Sequence, residues 1–147
     1  MIRPAQPKDR ALLRALFSEF YASDAVLHPV PEAYHEAALD ELFSPCSRQR
    51  AYLLCHGETP VGYALLADKY SHEAGGTELW LEELYLRPQA RGMGLGSEFF
   101  AFLRTCGAAR LRLEVEPDNL RAAALYRRMG YSPLPYDQMT LIPEETR

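Results

Sequence analysis

Apolar residues fall three and four apart between Asp9 and Tyr21, at Leu12, Leu13, Leu16, Phe17 and Phe20, and this spacing predicts an amphipathic helix. Pro29 and Pro31 interrupt the chain, and Glu32 to Phe43 then offers Ala38, Leu39, Leu42 and Phe43 as the buried stripe of a second helix, ended by Ser44-Pro45. The period changes afterwards. Ala51 to His56 and Val61 to Ala67 read as strands of an antiparallel hairpin turned at residues 57–60, and Thr77 to Leu86 follows as another strand after Gly75-Gly76. That last strand carries the adjacent carboxylates Glu82 and Glu83 in its middle, where an interior strand is normally apolar. Leu95, Phe99, Phe102, Leu103 and Cys106 are spaced for a third helix that Gly107 can terminate. Arg110 to Glu116 alternates as a strand, and Pro117-Asp118-Asn119 can cap a helix from Leu120 to Met129, closed by Gly130. The proline-rich stretch from Tyr131 to Ile142 has room for one or two short strands. The order predicts an α/β domain with a mixed, mostly antiparallel central sheet, flanked by helices and containing a parallel βαβ unit.

Composition narrows this picture. A chain of 147 residues is the size of one domain, so residues 1–147 are expected to form a single unit with its own core. No apolar run approaches the ~18 residues of a membrane span, and Met1-Ile2-Arg3-Pro4 does not open a secretory leader, so a cytoplasmic protein with no membrane partner is expected. Cys46, Cys55 and Cys106 are odd in number and lack C-x-x-C spacing, which predicts reduced, mostly buried thiols. His28, His35, His56 and His72 have no metal-ligand spacing and read as surface or loop residues, so no metal is expected. The net charge of −4 argues against nucleic acid, but the sign is unevenly distributed. Between Glu19 and Leu86 twelve acids face three basic residues, whereas between Arg87 and Arg128 eight arginines face four acids. The first stretch suits a cationic ligand and the second an anionic one.

The segment Arg91-Gly92-Met93-Gly94-Leu95-Gly96 leaves a strand and enters a helix, so its backbone N–H groups can converge on an anion at a helix N-terminus. A pyrophosphate is the natural guest. A phosphate loop of the Walker type would need a lysine and then Ser or Thr after the last glycine, and Ser97-Glu98 stand there instead. A dinucleotide fingerprint would need a third glycine where Ser97 stands; Glu114 lies where a ribose-binding acid is expected, but too little chain remains for the other βαβ units.

Arg91-x-x-Gly94-x-Gly96 resembles the R/Q-x-x-G-x-G/A signature of the GNAT N-acetyltransferase superfamily, and Glu82 to Pro88 resembles the strand that precedes it there. Asn119, then Arg121-Ala122-Ala123-Ala124-Leu125-Tyr126, then Gly130-Tyr131, is similar to that family's N-x-x-A-x-x-L/F-Y-x-x-x-G-F/Y segment. The resemblance implies that the backbone of Arg91, Gly92, Met93, Gly94, Leu95 and Gly96, with Ser97, binds the pyrophosphate of acetyl-coenzyme A. It also implies that main-chain groups of Leu84 and Leu86 pair with the pantetheine arm, which behaves as an added strand, that a backbone N–H of Tyr85 or Leu86 polarises the thioester carbonyl, and that Asn119 touches the cofactor. The strand ending at Leu86 is expected to splay from its parallel neighbour at Arg110 to Glu116 and admit the thioester there.

Amine acetylation needs a neutral amine, while an alkylamine titrates near ~10.4, so a carboxylate must help remove the proton, directly or through water. Glu82 and Glu83 are the candidates; neighbours on a strand face opposite sides unless a bulge intervenes, and alignment to the family favours Glu82. Tyr126 occupies the family position for the proton donor to the leaving thiolate. Cys106, in an apolar stripe with no histidine nearby in sequence, is expected to pack rather than carry an acyl group. Leu81-Glu82-Glu83-Leu84-Tyr85 resembles the diamine acetyltransferase branch, and the acids within residues 34–40 and 68–83 would attract a cation, so a polyamine or diamine is the expected acceptor. A protein or amino-acid amine is the next choice, and a non-catalytic acyl-coenzyme A sensor on the same fold the competing class. Family members commonly pair, and Met139-Thr140-Leu141-Ile142 as an exposed apolar strand would support a homodimer.

Overall fold

The computed structural model describes residues 1–143, and the chain divides into two compact units, Met1–Glu114 and Val115–Arg147. In the first, β1 (Ile2–Pro4), α1 (Arg10–Tyr21), α2 (Glu32–Leu42), β2 (Gln49–His56), β3 (Thr59–Ser71), β4 (Gly76–Leu86), α3 (Leu95–Leu103) and β5 (Arg110–Leu113) follow one another, with 3-10 turns at Pro7–Asp9 and Pro88–Ala90. The strands form one sheet in the order β1-β2-β3-β4-β5, antiparallel except for the parallel β4–β5 pair. This is the mixed sheet flanked by helices that the sequence predicts.

Alternation along the strands divides the apolar residues between two layers. Ala51, Leu53, Tyr63, Leu65 and Tyr85 form a core with Leu13, Leu16, Phe17 and Phe20 of α1 and with Leu39 and Leu42 of α2. Tyr52, out of phase with Ala51 and Leu53, meets the Phe102 ring of α3 on the other face at 4.9 Å between centroids. Each fully buried Leu or Phe stabilises the fold by ~1.5–3 kcal/mol relative to exposure, so the two faces supply most of the driving force. At the edge of the core β3 runs so close to β4 that a Cβ on Gly62 would overlap the Tyr85 carbonyl oxygen, and only glycine permits that approach.

Several expectations need correction. β1 was not expected; its three residues pair with Tyr52, Leu53 and Leu54, a non-local contact that leaves no periodicity to read. β3 runs on to Ser71 because β4 pairs with it over that whole length, whereas β5 stops at Leu113. Residues 131–143 form no strand, and Met139, Leu141 and Ile142 are exposed without one. His35 is buried, since it lies one turn before Leu39 on the core face of α2, with its ring 5.4 Å from Tyr21. Cys55 alone of the three thiols is buried; Cys46 is exposed.

The charge segregation along the sequence does not survive folding. Glu32, Glu36 and Asp40 on α2 pair with Arg10 and Arg14 on α1, Asp68 pairs with Arg50, and Glu19 takes Arg87 bidentately. Glu73 and Glu78 pair with Arg110 as well, so five of the seven acids within residues 34–40 and 68–83 are already paired.

In the second unit α4 (Leu120–Arg128) begins at Asn119, whose Oδ1 accepts from the Ala122 N–H at 3.1 Å and so satisfies one of the unpaired donors of the first turn. Gly130, at φ +96°, follows it, and the Tyr131 N–H donates to the Tyr126 carbonyl at 3.0 Å. Among the described residues no helix is long and apolar enough to cross a membrane, and no cluster of three or more His, Cys, Asp or Glu side chains could hold a metal ion.

Candidate active site

β4 and β5 are in register from Glu78↔Arg110 to Leu81↔Leu113 and their pairing ends there. The next residue of β4 breaks the ladder on the other side as well: Leu66 faces Leu81 while Leu65 faces Glu83, which leaves Glu82 without a partner on β3. This is a β-bulge, a device that re-aims side chains and interrupts the strict alternation of a strand. Two adjacent carboxylates therefore sit where β4 loses its parallel neighbour, and residues 84–86 keep β3 on one edge only.

The two carboxylates have different surroundings. Glu82 is exposed, yet partial desolvation and then the nearby charges of Glu114 and Glu83 push its carboxyl above the usual range. Glu114, considered above as a ribose-binding acid, instead follows the last β5 pair just as Glu82 follows the last β4 pair, and it adds to the like charge there. Glu83 is less exposed and accepts two hydrogen bonds, from the Tyr21 hydroxyl on Oε1 and from the Tyr63 hydroxyl on Oε2, each at 2.6 Å. Burial, reinforced by Glu83, raises both phenols well above their ordinary value, so both stay protonated as donors. Glu83 also lines a cavity of about 220 Å³ walled by Phe17, Tyr21, Tyr34, His35 and Leu65.

Past Leu86 the chain makes the 3-10 turn and then residues 91–94, with Gly92 at φ +81° and Gly94 at φ +82°. Gly94 is the left-handed N-cap of α3, a conformation that a side chain resists, and no atom lies within 4 Å of where its Cβ would be. The turn presents bare backbone at the start of a nine-residue helix whose first N–H groups have no intrahelical acceptor. Met93 is exposed, Leu95 is buried and anchors the helix, and Gly96 and Ser97 lie in its first turn. The Arg91 side chain donates through Nε to the Leu86 carbonyl at 3.0 Å, fastening the turn to the end of β4. A pyrophosphate fits such a turn, and an extended amide-bearing arm fits the edge of residues 84–86 that β5 does not cover, where Arg91 already bonds one lone pair of the Leu86 carbonyl.

Of the residues expected at the site, Glu82 to Leu86 and Arg91 to Ser97 belong to the first unit, on one strand and the turn it leads into. Asn119 and Tyr126 belong to the second. There Tyr126 is partly buried with its ring 6.2 Å from Tyr131, and burial raises its phenol above the ordinary value. Tyr21, Tyr63 and His35 were not anticipated. The alternation of Tyr63 with Leu65 marks it as a core residue, but only the folded register brings its hydroxyl to Glu83.

Comparison with known proteins gives the same family. Residues 11–131 match the Acetyltransferase (GNAT) family. Among curated proteins, the thialysine N-epsilon-acetyltransferase of Bos taurus is 36% identical over 78 residues, 50% of this chain and 45% of that protein. The chain thus spans about half the length of the curated relatives it matches. Among solved structures, an integron cassette protein from the mobile metagenome of Cole Harbour Salt Marsh superposes with TM-score 0.80 at 26% identity, over 96% of this chain and 89% of that one. AAC(6')-Iy, solved in complex with the bisubstrate analog CoA-S-monomethyl-acetylneamine, has TM-score 0.78 at 14% identity, covering 97% of each chain, a likeness of fold. With a family match that runs from within α1 to the residue after Gly130, this chain belongs to the GNAT acetyltransferase family.

Proposed function

We propose that the chain is an acetyl-coenzyme A-dependent N-acetyltransferase, working as one domain in the cytoplasm on a small primary amine, with a polyamine or diamine as the first choice. The observation that carries this reading is the coincidence at one strand end: β4 loses β5 at Leu81, the carboxylates stand at the next two positions, and the same strand leads into the open turn at Gly92 and Gly94. The family match and the bovine relative's name support it.

In this reading the backbone of residues 91–96 and Ser97 hold the pyrophosphate, the edge of residues 84–86 beyond the end of β5 pairs with the pantetheine arm, and the bound cofactor supplies an activated acetyl group as a thioester. Glu82 takes the proton that the amine sheds as its nitrogen bonds to the acetyl carbon; its raised pKa suits it to that role. Tyr126 supplies a proton to the departing sulfur as the C–S bond breaks. We also read the exposed Met139, Leu141 and Ile142 as a surface for a second copy of the chain, a dimer to be weighed by light scattering.

The test combines calorimetric titration with coenzyme A and release of free thiol from acetyl-coenzyme A over a panel of amines. Saturable binding and thiol release with at least one amine are expected. No heat with coenzyme A would overturn the reading; tight binding without turnover on any amine would leave a sensor.

A further inference from the structure

Building on that reading, we propose that Glu83 binds a cationic group that the acceptor keeps throughout the reaction, and that Tyr21 and Tyr63 are positioning residues that hold Glu83 for this purpose. The cradle is built from three separate elements: Tyr21 ends α1, Tyr63 lies on β3, and each hydroxyl donates to a different oxygen of a carboxylate on β4. A carboxylate offers about four acceptor sites, so two remain for a ligand after the tyrosines have bonded. The position is rigid, because Tyr63 is fully buried and its ring packs on Phe17 at 4.9 Å.

The chemistry separates the two glutamates. A fixed anion beside aromatic rings stabilises an ammonium in its charged form, through the ion pair and through the ring faces of the wall. This is the wrong environment for the nitrogen that must lose a proton, and the right one for a second nitrogen that does not react. Glu82, unpartnered at the bulge and beside Glu114, suits the reacting amine. Glu32, Glu36 and Asp40 of α2, which might have competed for the second cation, are engaged by Arg10 and Arg14. A cavity of about 220 Å³ is smaller than the ~300–1,000 Å³ typical of drug-sized ligands, which fits a short aliphatic chain ending in one charge.

The experiment uses α,ω-diamines of three to six carbons, each beside the monoamine in which a methyl group replaces the second ammonium. The full chain is expected to favour one diamine over its monoamine by about 10- to 100-fold in kcat/KM, the worth of one hydrogen-bonded charge pair. Glu83→Gln should collapse that ratio towards one. Tyr21→Phe and Tyr63→Phe should each lower it about 3- to 10-fold through the KM of the diamine, with kcat at saturation held. If Tyr63→Phe does not fold, Tyr21→Phe carries the test, since Tyr21 is only partly buried. An unchanged ratio in Glu83→Gln, or in the folded tyrosine variants, would overturn the proposal. If no amine is acetylated at all, the enzymatic reading fails, and calorimetry of diamine binding to the coenzyme A-loaded chain still decides the cradle: weaker binding by Glu83→Gln supports it, equal binding overturns it.

Discussion

Replacing Glu78 by glutamine should destabilise the fold far more than a substitution at an ordinary surface glutamate. Its side chain is 0% exposed, accepts from the Trp80 indole at 2.9 Å and from Arg110 Nε, and has Lys69 and Arg112 each 3.8 Å away. Exclusion from water by itself raises the carboxyl, but the Arg110 and Trp80 bonds outweigh it and hold the pKa below the usual value. Breaking a buried charge pair costs ~3–5 kcal/mol. Arg110 is 24% exposed and also reaches Ser71 and Glu73, so part of its charge stays compensated and we expect the low end, about 3 kcal/mol. In a chain of this size that corresponds to about 6–12 °C in Tm. Trp80 is the single tryptophan and donates to Glu78 itself, so its fluorescence during urea unfolding reports the change directly. The sign of the pH dependence follows from the lowered pKa: the contribution of Glu78 is complete above its unfolded value near ~4.5 and is lost as pH falls through the lower folded value. The gap between the two proteins should therefore be full at pH 7 and close in acid. A loss below about 1 kcal/mol at pH 7, or a gap that widens in acid, would refute the reasoning.

Gly62→Ala should cost about 3 kcal/mol, because the added Cβ overlaps the Tyr85 carbonyl oxygen and a β4 backbone cannot step aside as a side chain can; a urea midpoint within error of the parent would contradict this. Asp9, held by Arg3 and the Gln6 N–H and lowered to about 2, stabilises the fold above its unfolded value near ~3.8 and loses that effect as pH falls to about 2. Asp9→Asn should accordingly be less stable than the parent at pH 7 and converge with it in acid. Tyr126→Phe should lower kcat by about 10²-fold while the far-UV spectrum stays the same, if the hydroxyl donates the proton; full turnover would remove Tyr126 from the chemistry.

Glu82 and Glu83 show where reading the chain as a string reaches its limit. Their adjacency between the apolar residues Leu81 and Leu84 marks them as candidates, and the strand rule allows only one to serve unless a bulge intervenes. Whether one does depends on how Leu65 and Leu66 meet β4, an alignment set across two strands and absent from either alone. The α2 acids teach the same lesson: they looked like a lure for cations, but Arg10 and Arg14, about twenty to thirty residues earlier in sequence, lie against them once α1 and α2 pack.

Local chemistry was sufficient for what depends on near neighbours. The stripe of α1, the capping Asn119, the glycine turn that leads into α3 and the breaks at Pro29 and Pro45 all act within a few residues, so they are legible in order along the chain. Tertiary structure alone decided the rest: the pairing of β1, the early end of β5, the burial of His35 and the hydroxyls of Tyr21 and Tyr63 on one carboxylate, 62 and 20 residues away. Each of these rests on contacts between distant segments, whose energy exists only after packing has brought them together.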